Sequence, residues 1–137
     1  MFDLTDITQV LGGKLTGADA QITSVSTDTR TLEPGALFVA LDGERFHGSD
    51  FIEDAHRAGA AAVLSSRADC SPLPGLVVEN TSVALGQLAA YWRNRFDIPV
   101  IGITGSNGKT TVKEMIAAIL TESGDVHASP GNFNNNI

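Results

Sequence analysis

Apolar and polar positions along the chain follow two periods, which predict strands that alternate with helices. Short runs rich in β-branched and apolar residues predict strands at 21–28, 35–41, 60–66 and 75–80. Apolar residues at helical spacing predict helices at 3–13, 48–60, 80–96 and 109–124. Two further short strands are predicted at 99–104 and 125–129, followed by a polar loop. This alternation is typical of an α/β fold.

The predicted helices carry candidate caps at their starts and apolar stripes along one face. Side chains of Ser, Thr, Asp and Asn at a helix start accept hydrogen bonds from free backbone N–H groups. The candidate caps are Thr5 or Asp6, Ser49 or Asp50, and Asn80, Thr81 or Ser82. The stripe of the third helix consists of Leu85, Leu88, Ala89, Trp92 and Phe96. At this spacing we favour a core role for Trp92 over a role in ligand stacking. The stripe of the fourth helix consists of Val112, Met115, Ile116, Ile119 and Leu120.

The pattern changes character near residue 82, where we place a domain boundary. Residues 1–82 are predicted to form a small N-terminal α/β domain. Residues 83–137 are predicted to hold the first strand, loop, helix and strand of a second domain with a parallel sheet. A parallel sheet needs further strands and a cover on both faces, so we expect this second domain to be truncated here.

Composition and charge restrict the possible functions. The formal net charge is −7, and the nine basic residues are scattered, so a charged face for nucleic acid is not expected. The single cysteine, Cys70, allows no internal disulfide and is interpreted as an incidental loop thiol. The N-terminus lacks the basic segment of a signal peptide, and no apolar run reaches membrane-spanning length. We therefore expect a cytoplasmic protein.

The stretch "ITGSNGKTT" at 103–111 has the composition of a phosphate-binding loop between a strand and a helix. In such a loop, backbone N–H groups and the positive end of the helix hold phosphate oxygens. Lys109 has the position of the lysine that reaches the terminal phosphates, and Thr110 that of the hydroxyl that holds Mg²⁺. The candidate ATP contacts are Gly105, Ser106, Asn107, Gly108, Lys109, Thr110 and Thr111. The alternative is a glycine-rich turn with an incidental lysine.

The opening glycine of the general pattern would fall at Ile103, but Gly105 takes its place. The resulting motif, T-G-x-N-G-K-T-T, resembles the shortened ATP loop of the Mur ligases and the related folylpolyglutamate synthetases. The stretch "STDTRTLEPGALFVALDGERFHGSDFIEDAHRAGAAAVL" is similar to the N-terminal UDP-binding domain of the Mur ligases. The end of the chain, "GNFNNNI", resembles the G-N-x-N-N-x-I-G signature of one member of that family.

The resemblance to that member implies an ATP-dependent amide ligase of peptidoglycan synthesis, and so of cell wall biogenesis, cell shape and cell division. ATP would phosphorylate the terminal carboxylate of UDP-N-acetylmuramoyl-tripeptide, and D-alanyl-D-alanine would attack the acyl phosphate. Lys109 would stabilise the γ-phosphate as the catalytic residue, and Thr110 would ligate Mg²⁺. A monomer is expected. The second metal site of the family lies downstream, so we expect the 137 residues alone to be inactive.

The resemblance also implies contacts to the UDP-sugar. The substrate-binding candidates are Thr29, Arg30, Glu44, Arg45, Phe46, Asn134 and Asn135. Four of them have an alternative: an ion pair with Asp28 or a neighbouring acid for Arg30, plain packing for Phe46, and a disordered polar tail for the two asparagines. His47 and Ser49 stand where related enzymes often carry Asp-Gly-His, so roles carried over to these two positions are in doubt.

Three other functions remain open on the sequence. A sister Mur ligase that adds the third amino acid would share most of these motifs. A UDP-sugar-binding module without catalysis would use the N-terminal domain alone. An unrelated P-loop kinase or GTPase would leave the first 80 residues unexplained.

Overall fold

The computed structural model describes residues 2–43 and 47–130. They form two compact units, one that ends at Phe96 and one that begins at Asp97. The boundary predicted from the sequence lies after residue 82, earlier than the observed one. The helix that follows residue 80 packs against the first helix of the chain and so belongs to the first unit. The predicted α/β class is confirmed by the strands and helices of the first unit.

The described residues of the first unit form seven strands and three helices. Its strands are β1 (Phe2–Asp3), β2 (Lys14–Thr16), β3 (Gln21–Ile22), β4 (Ser24–Ser26), β5 (Ala36–Val39), β6 (Ala62–Ser65) and β7 (Gly75–Val77). Its helices are α1 (Leu4–Leu11), α2 (Ile52–Arg57) and α3 (Thr81–Arg93), and a 3₁₀ turn (Gly48–Phe51) leads into α2. Across the described residues, no helix is long and apolar enough to cross a membrane.

Five strands form one sheet in the order β2-β7-β6-β5-β4. The neighbours from β4 to β7 are parallel, with Val25 opposite Leu37 and Phe38 opposite Val63, whereas β2 is antiparallel to β7. Strands β1 and β3 form a separate antiparallel pair. The carboxyl ends of β4, β5 and β6 therefore meet at the same edge of the sheet.

The sheet lies between two apolar cores, because successive side chains of a strand point to opposite faces. Leu37 and Val39 of β5 pack with α1 and α3, whereas Ala36 and Phe38 pack with α2. In β6, Leu64 packs in the core with α1 and α3, and Val63 packs in the core with α2. All eight residues of β5 and β6 are buried, which explains why 36–39 and 62–64 are continuous apolar runs; Ser65 is the one polar residue of the two strands.

Only one of the predicted helix caps acts as predicted. The Asn80 side chain accepts a hydrogen bond from the Val83 N–H at 3.0 Å at the start of α3. Helix α1 begins at Leu4, so Thr5 and Asp6 lie inside it, and Asp19 from a distant loop accepts the Thr5 N–H at 3.0 Å. A loop can supply a cap across space, which sequence spacing does not reveal. Ser49 lies in the 3₁₀ turn before α2, where its side chain faces another strand.

Trp92 is not a core residue, contrary to the prediction. The buried residues of α3 are Thr81, Ala84 and Leu88, and the last turn of the helix extends past them. Trp92 is 40% exposed and lies edge-on to Phe2 and Phe96, with ring centroids 4.7 and 5.3 Å apart.

The second unit contains α4 (Lys109–Thr121). The strands predicted at 99–104 and 125–129 are wrong for this structure, since no strand is assigned between residues 97 and 130. A strand requires a hydrogen-bonded neighbour, and the described part of this unit supplies none. The predicted apolar stripe of α4 is likewise uncovered there, with Met115 60% and Ile119 67% exposed.

We predict that Gly48→Ala destabilises the first unit. A Cβ at Gly48 would lie 2.5 Å from the backbone atoms of Ala40 and Leu41, which cannot move without disturbing β5. We expect a loss of about 1–3 kcal/mol, and about 4–8 °C of Tm per kcal/mol for a unit of this size. Thermal unfolding followed by circular dichroism measures it.

The matched control is Gly86→Ala, on an exposed position of α3 with nothing within 4 Å of the added Cβ. It should raise stability by roughly 0.5–1 kcal/mol, because glycine is a poor helix former. Equal Tm values for the two variants would contradict the close approach at Gly48.

Candidate functional site

The predicted phosphate loop folds as a tight turn that leads directly into α4. Gly105 and Gly108 have φ angles of 150° and 77°, which residues with a Cβ rarely adopt. Gly108 is the N-cap of α4, and its carbonyl accepts the first helical bond from Val112 at 3.0 Å. Residues 105–111 therefore form the loop and the first turn at the N-terminus of a 13-residue helix, where the helix dipole favours an anion.

Lys109 is the first residue of α4, and its side chain turns back over the loop. Its Nζ donates a hydrogen bond to the Gly105 carbonyl at 2.7 Å, so the ammonium lies beside the loop backbone. Thr110 follows at the second position of the helix. The first turn reads Lys-Thr-Thr-Val, so its own side chains carry positive charge and no carboxylate. The loop therefore has the tight turn, the helix N-terminus and the positive charge expected of a phosphate-binding loop, and phosphate binding by these residues stays a prediction.

A second group of polar residues lies at the carboxyl edge of the parallel strands in the first unit. Ligands of open α/β sheets bind at this edge, because side chains there are free of the sheet and its cores. The loop after β4 carries Thr29 and Arg30, and those after β5 and β6 carry Asp42 and Ser66. The structure thus places the predicted Thr29 and Arg30 at the edge where a ligand is expected.

Arg30 forms the ion pair that the sequence analysis left as an alternative to substrate binding. Its NH2 lies 2.6 Å from Asp28 Oδ2, and its Nε donates to Oδ1 at 2.9 Å. The backbone N–H of Arg30 also donates to Asp28 Oδ1 at 2.9 Å. These bonds to Arg30 lower the pKa of Asp28 to about 2. The Arg30 side chain is nevertheless 85% exposed, so the pair leaves much of the guanidinium open to a ligand.

The sequence analysis missed the polar contacts around Asp42. The Ser66 hydroxyl donates to Asp42 Oδ2, and His47 Nδ1 lies 3.3 Å from Asp42 Oδ1. The hydrogen bond from Ser66, and then that from His47, lower the pKa of Asp42. Asp42 lies three residues after the end of β5, and Ser66 lies directly after β6. The rule that ligands bind at the carboxyl ends of parallel strands could therefore have identified both residues from the sequence.

His47 and Ser49, the two positions in doubt, have distinct surroundings. His47 is exposed and pairs with Asp42. Ser49 is buried, and its hydroxyl lies 3.1 Å from that of Ser65 at the end of β6. Next to it, Asp50 forms an ion pair with Arg67 at 2.7 Å.

The remaining substrate candidates lie outside the described residues. These are Glu44, Arg45 and Phe46 on the loop after β5, and Asn134 and Asn135 in the last segment. Their assignment stays a prediction.

Residues 21–93, more than half of the chain, match the family described as "Mur ligase family, catalytic domain". Residues 103–137 match the family described as "Mur ligase middle domain". The first match covers β3 to the end of α3, and the second covers the phosphate loop and α4.

The chain is similar to a curated ligase and to two solved structures. Over 134 residues it is 49% identical to the UDP-N-acetylmuramoyl-tripeptide--D-alanyl-D-alanine ligase of Escherichia coli (strain K12). This alignment covers 98% of this chain and 30% of that protein. It aligns with a crystal structure of MurF from Acinetobacter baumannii with a TM-score of 0.75 at 35% identity, over 86% of this chain and 27% of that one. It also aligns with MurF ligase from Thermotoga maritima, solved in complex with ADP, with a TM-score of 0.70 at 36% identity. This alignment covers 81% of this chain and 26% of that one.

The chain spans about 30% of the length of the curated relative and about a quarter of each solved chain. The comparisons therefore identify the family and the fold of the matched region.

We predict that Arg30→Gln raises the pKa of Asp28 from about 2 toward its ordinary value near 3.8, because Arg30 supplies the largest stabilising bonds. The shift should be incomplete, since the backbone N–H of residue 30 still donates to the carboxylate. Carbon-detected NMR titration of the Asp28 carboxyl measures it.

The sign of the pH effect follows from the lowered pKa. The stabilising contribution of ionised Asp28 is complete above about pH 4 and is lost as the pH falls through about 2. Arg57→Gln, on α2, is the control and should leave the Asp28 titration unchanged. A pKa that stays near 2 in Arg30→Gln would show that the ion pair is not its cause.

Proposed function

Because the chain belongs to the Mur ligase family, we propose that it supplies two nucleotide sites to an ATP-dependent ligase of peptidoglycan synthesis. The ligase joins D-alanyl-D-alanine to UDP-N-acetylmuramoyl-tripeptide. The substrates are those in the name of the E. coli relative, which matches nearly the whole of this chain. We propose that the ligase acts in the cytoplasm as a monomer.

The observation that carries the proposal is the phosphate loop at the start of α4. Its two glycines, its helix N-terminus and its lysine occupy the places that polyphosphate binding requires. A relative of known structure with the same fold holds ADP, which supports a nucleotide at this loop.

In the proposed ATP site, the backbone N–H groups of residues 105–111 bind the phosphate oxygens. When ATP binds, the Lys109 ammonium gives up its 2.7 Å hydrogen bond to the Gly105 carbonyl and contacts the β- and γ-phosphates instead. The exchange costs little, because the hydrogen bond is exposed and typically contributes about 0.5–1.5 kcal/mol. The Thr110 hydroxyl, in the first turn of α4, holds Mg²⁺.

ATP with Mg²⁺ supplies the phosphoryl group that activates a carboxylate for attack by an amine. This chain contributes electrostatics to that chemistry. The helix N-terminus and the Lys109 ammonium oppose the negative charge that develops as the phosphoryl group leaves, and they are already in place before the reaction. Preorganised charge of this kind lowers the barrier without a cost of reorganisation.

In the proposed UDP-sugar site, the ligand binds at the carboxyl edge of β4, β5 and β6. The chain has a net charge of −7, so a diphosphate must be held by individually placed groups rather than by the overall field. Arg30 provides an exposed cation held in place by Asp28, and half-buried Thr29 beside it provides a hydroxyl. Glu44, Arg45, Phe46, Asn134 and Asn135 complete the proposed contacts.

We predict that Lys109→Ala in the full-length ligase lowers kcat by about 10²–10³-fold or more, the usual loss for one preorganised electrostatic donor. The KM for ATP should change less, because the charge near Lys109 grows in the transition state. The Tm should stay nearly constant, since this side chain is exposed and donates its hydrogen bond to the loop backbone at Gly105. Steady-state phosphate release over a range of ATP concentrations, with the other substrates saturating, measures kcat and KM, and circular dichroism measures Tm.

The charge-matched control is Lys14→Ala, on an exposed position of β2 in the first unit. It should keep wild-type kcat. A folded Lys109→Ala enzyme that retains most of its kcat would exclude the phosphate-loop role. Turnover with a free diamino acid and not with D-alanyl-D-alanine would replace the proposal by the sister ligase.

A further inference from the structure

Arg67 is held in one position at the carboxyl edge of β6. Its backbone N–H donates to the Ser65 hydroxyl at 3.0 Å, and its carbonyl accepts from the Cys70 thiol at 3.9 Å. Ser65 and Cys70 are buried, so the turn that carries Arg67 is anchored in the core. The side chain is fixed separately, because NH1 donates to Asp50 Oδ1 at 2.7 Å. Both the backbone and the guanidinium of Arg67 are therefore placed before a ligand binds.

The bond to Asp50 uses only one arm of the guanidinium. A guanidinium presents its N–H donors as a rigid fork, which can bind a carboxylate or a phosphate through two parallel hydrogen bonds. In Arg30 the edge formed by Nε and NH2 is occupied, since both atoms donate to Asp28. In Arg67, within the described residues, no acceptor bonds Nε or NH2. Because 47% of the Arg67 side chain is exposed, this edge of its fork is open to an anion.

Arg67 lies on the same side of the sheet as the candidate residues Thr29 and Arg30. The loops that carry them both lead into the core on the α2 side, through Leu32 after β4 and Cys70 after β6. Strands β4 and β6 flank β5, and neighbouring strands lie about 4.8 Å apart, so their ends are about 10 Å apart. A nucleotide-sugar that lies across this edge can therefore meet Thr29 and Arg30 at one strand end and Arg67 at the other.

The charge of Arg67 also acts on the middle of this edge. The pKa of Asp42, which follows β5, is lowered first by the hydrogen bond from Ser66, then by His47, and further by the positive charge of Arg67. Such an effect requires proximity, because charges in contact with solvent are screened over about 10 Å. In a chain with a net charge of −7, this cation offsets a carboxylate that would otherwise repel an anion.

We propose that Arg67 binds the diphosphate of the UDP-substrate through its Nε and NH2 groups, and that Asp50 is the positioning residue that orients them. The inference rests on the proposed function, which places a UDP-sugar at this edge. It adds a second arginine to that site, on the opposite side of β5 from Arg30.

A phosphate-binding role predicts a loss of affinity that depends on the phosphates of the ligand. If Arg67 binds the diphosphate, its removal should weaken the binding of UDP and leave that of uridine, which has the same base and sugar, nearly unchanged. If Arg67 only stabilised its loop by pairing with Asp50, its removal would weaken both ligands by the same factor. The ratio of the two affinities therefore separates the roles.

The test measures the inhibition constants of UDP and of uridine against UDP-N-acetylmuramoyl-tripeptide in the full-length ligase at saturating ATP. For Arg67→Gln we expect the constant for UDP and the KM for the UDP-substrate to rise about tenfold, as for the loss of a hydrogen bond between charged groups. The constant for uridine, the kcat and the KM for ATP should change less than about twofold, because substrate binding alone is affected.

Two further variants separate the fork from its support. Arg67→Lys keeps the charge without the fork and should recover only part of the loss. Asp50→Asn keeps the arginine but removes the charge that orients it, so the inhibition constant for UDP should rise about two- to fivefold.

Arg57→Gln is the matched control. Arg57 also pairs with an aspartate, Asp54, but it ends α2 shortly before β6 begins, at the opposite edge of the sheet. This variant should keep both inhibition constants and the KM for the UDP-substrate.

An unchanged inhibition constant for UDP in a folded Arg67→Gln enzyme, or an equal loss for UDP and uridine, would overturn the inference alone. The same loss in Arg57→Gln would also overturn it, because removal of any positive charge would then suffice. A wild-type ligase without turnover of the UDP-substrate would overturn the proposed function, and the inference with it.

Discussion

The burial of β5 and β6 on both faces is the constraint on which the first unit depends. Their side chains alternate between two apolar cores, and all eight residues are inaccessible to a ligand. Polar groups of these strands can therefore act only where the strands end. The parallel order of β4 to β7 brings those ends to one edge, which carries Thr29, Arg30, Asp42 and Ser66. The proposed UDP-sugar site is a consequence of this topology.

The same logic explains how an acidic chain can offer sites to anions. Each candidate cation is held by a specific neighbour: Arg30 by Asp28, and Lys109 by the Gly105 carbonyl. Such pairing fixes the direction of a long side chain before a ligand arrives, which reduces the entropy lost on binding. In the second unit the helix N-terminus adds a positive end that requires no side-chain charge.

The sequence predicted the parts of the structure that depend on local pattern. The runs 36–39 and 62–64 are apolar because both faces are buried, and the Asn80 cap and the Asp28–Arg30 pair join residues close in sequence. Contacts across space escaped prediction: the cap of α1 by Asp19 and the bond from Ser66 to Asp42 join residues 14 and 24 positions apart. The strands expected near α4 require partners that the described residues do not contain. Resemblance alone assigned Glu44, Arg45, Phe46, Asn134 and Asn135.

The central claim is that this chain carries two separate nucleotide sites, one on each unit. Amide NMR spectra of the 137-residue chain, titrated separately with UDP and with Mg²⁺-ATP, test it most directly. UDP should shift the amides of residues 26–30, 41–43, 47–48 and 65–67, whereas Mg²⁺-ATP should shift those of residues 104–111. Shifts by both nucleotides on one shared set of residues, or by UDP at the opposite edge of the sheet, would contradict it.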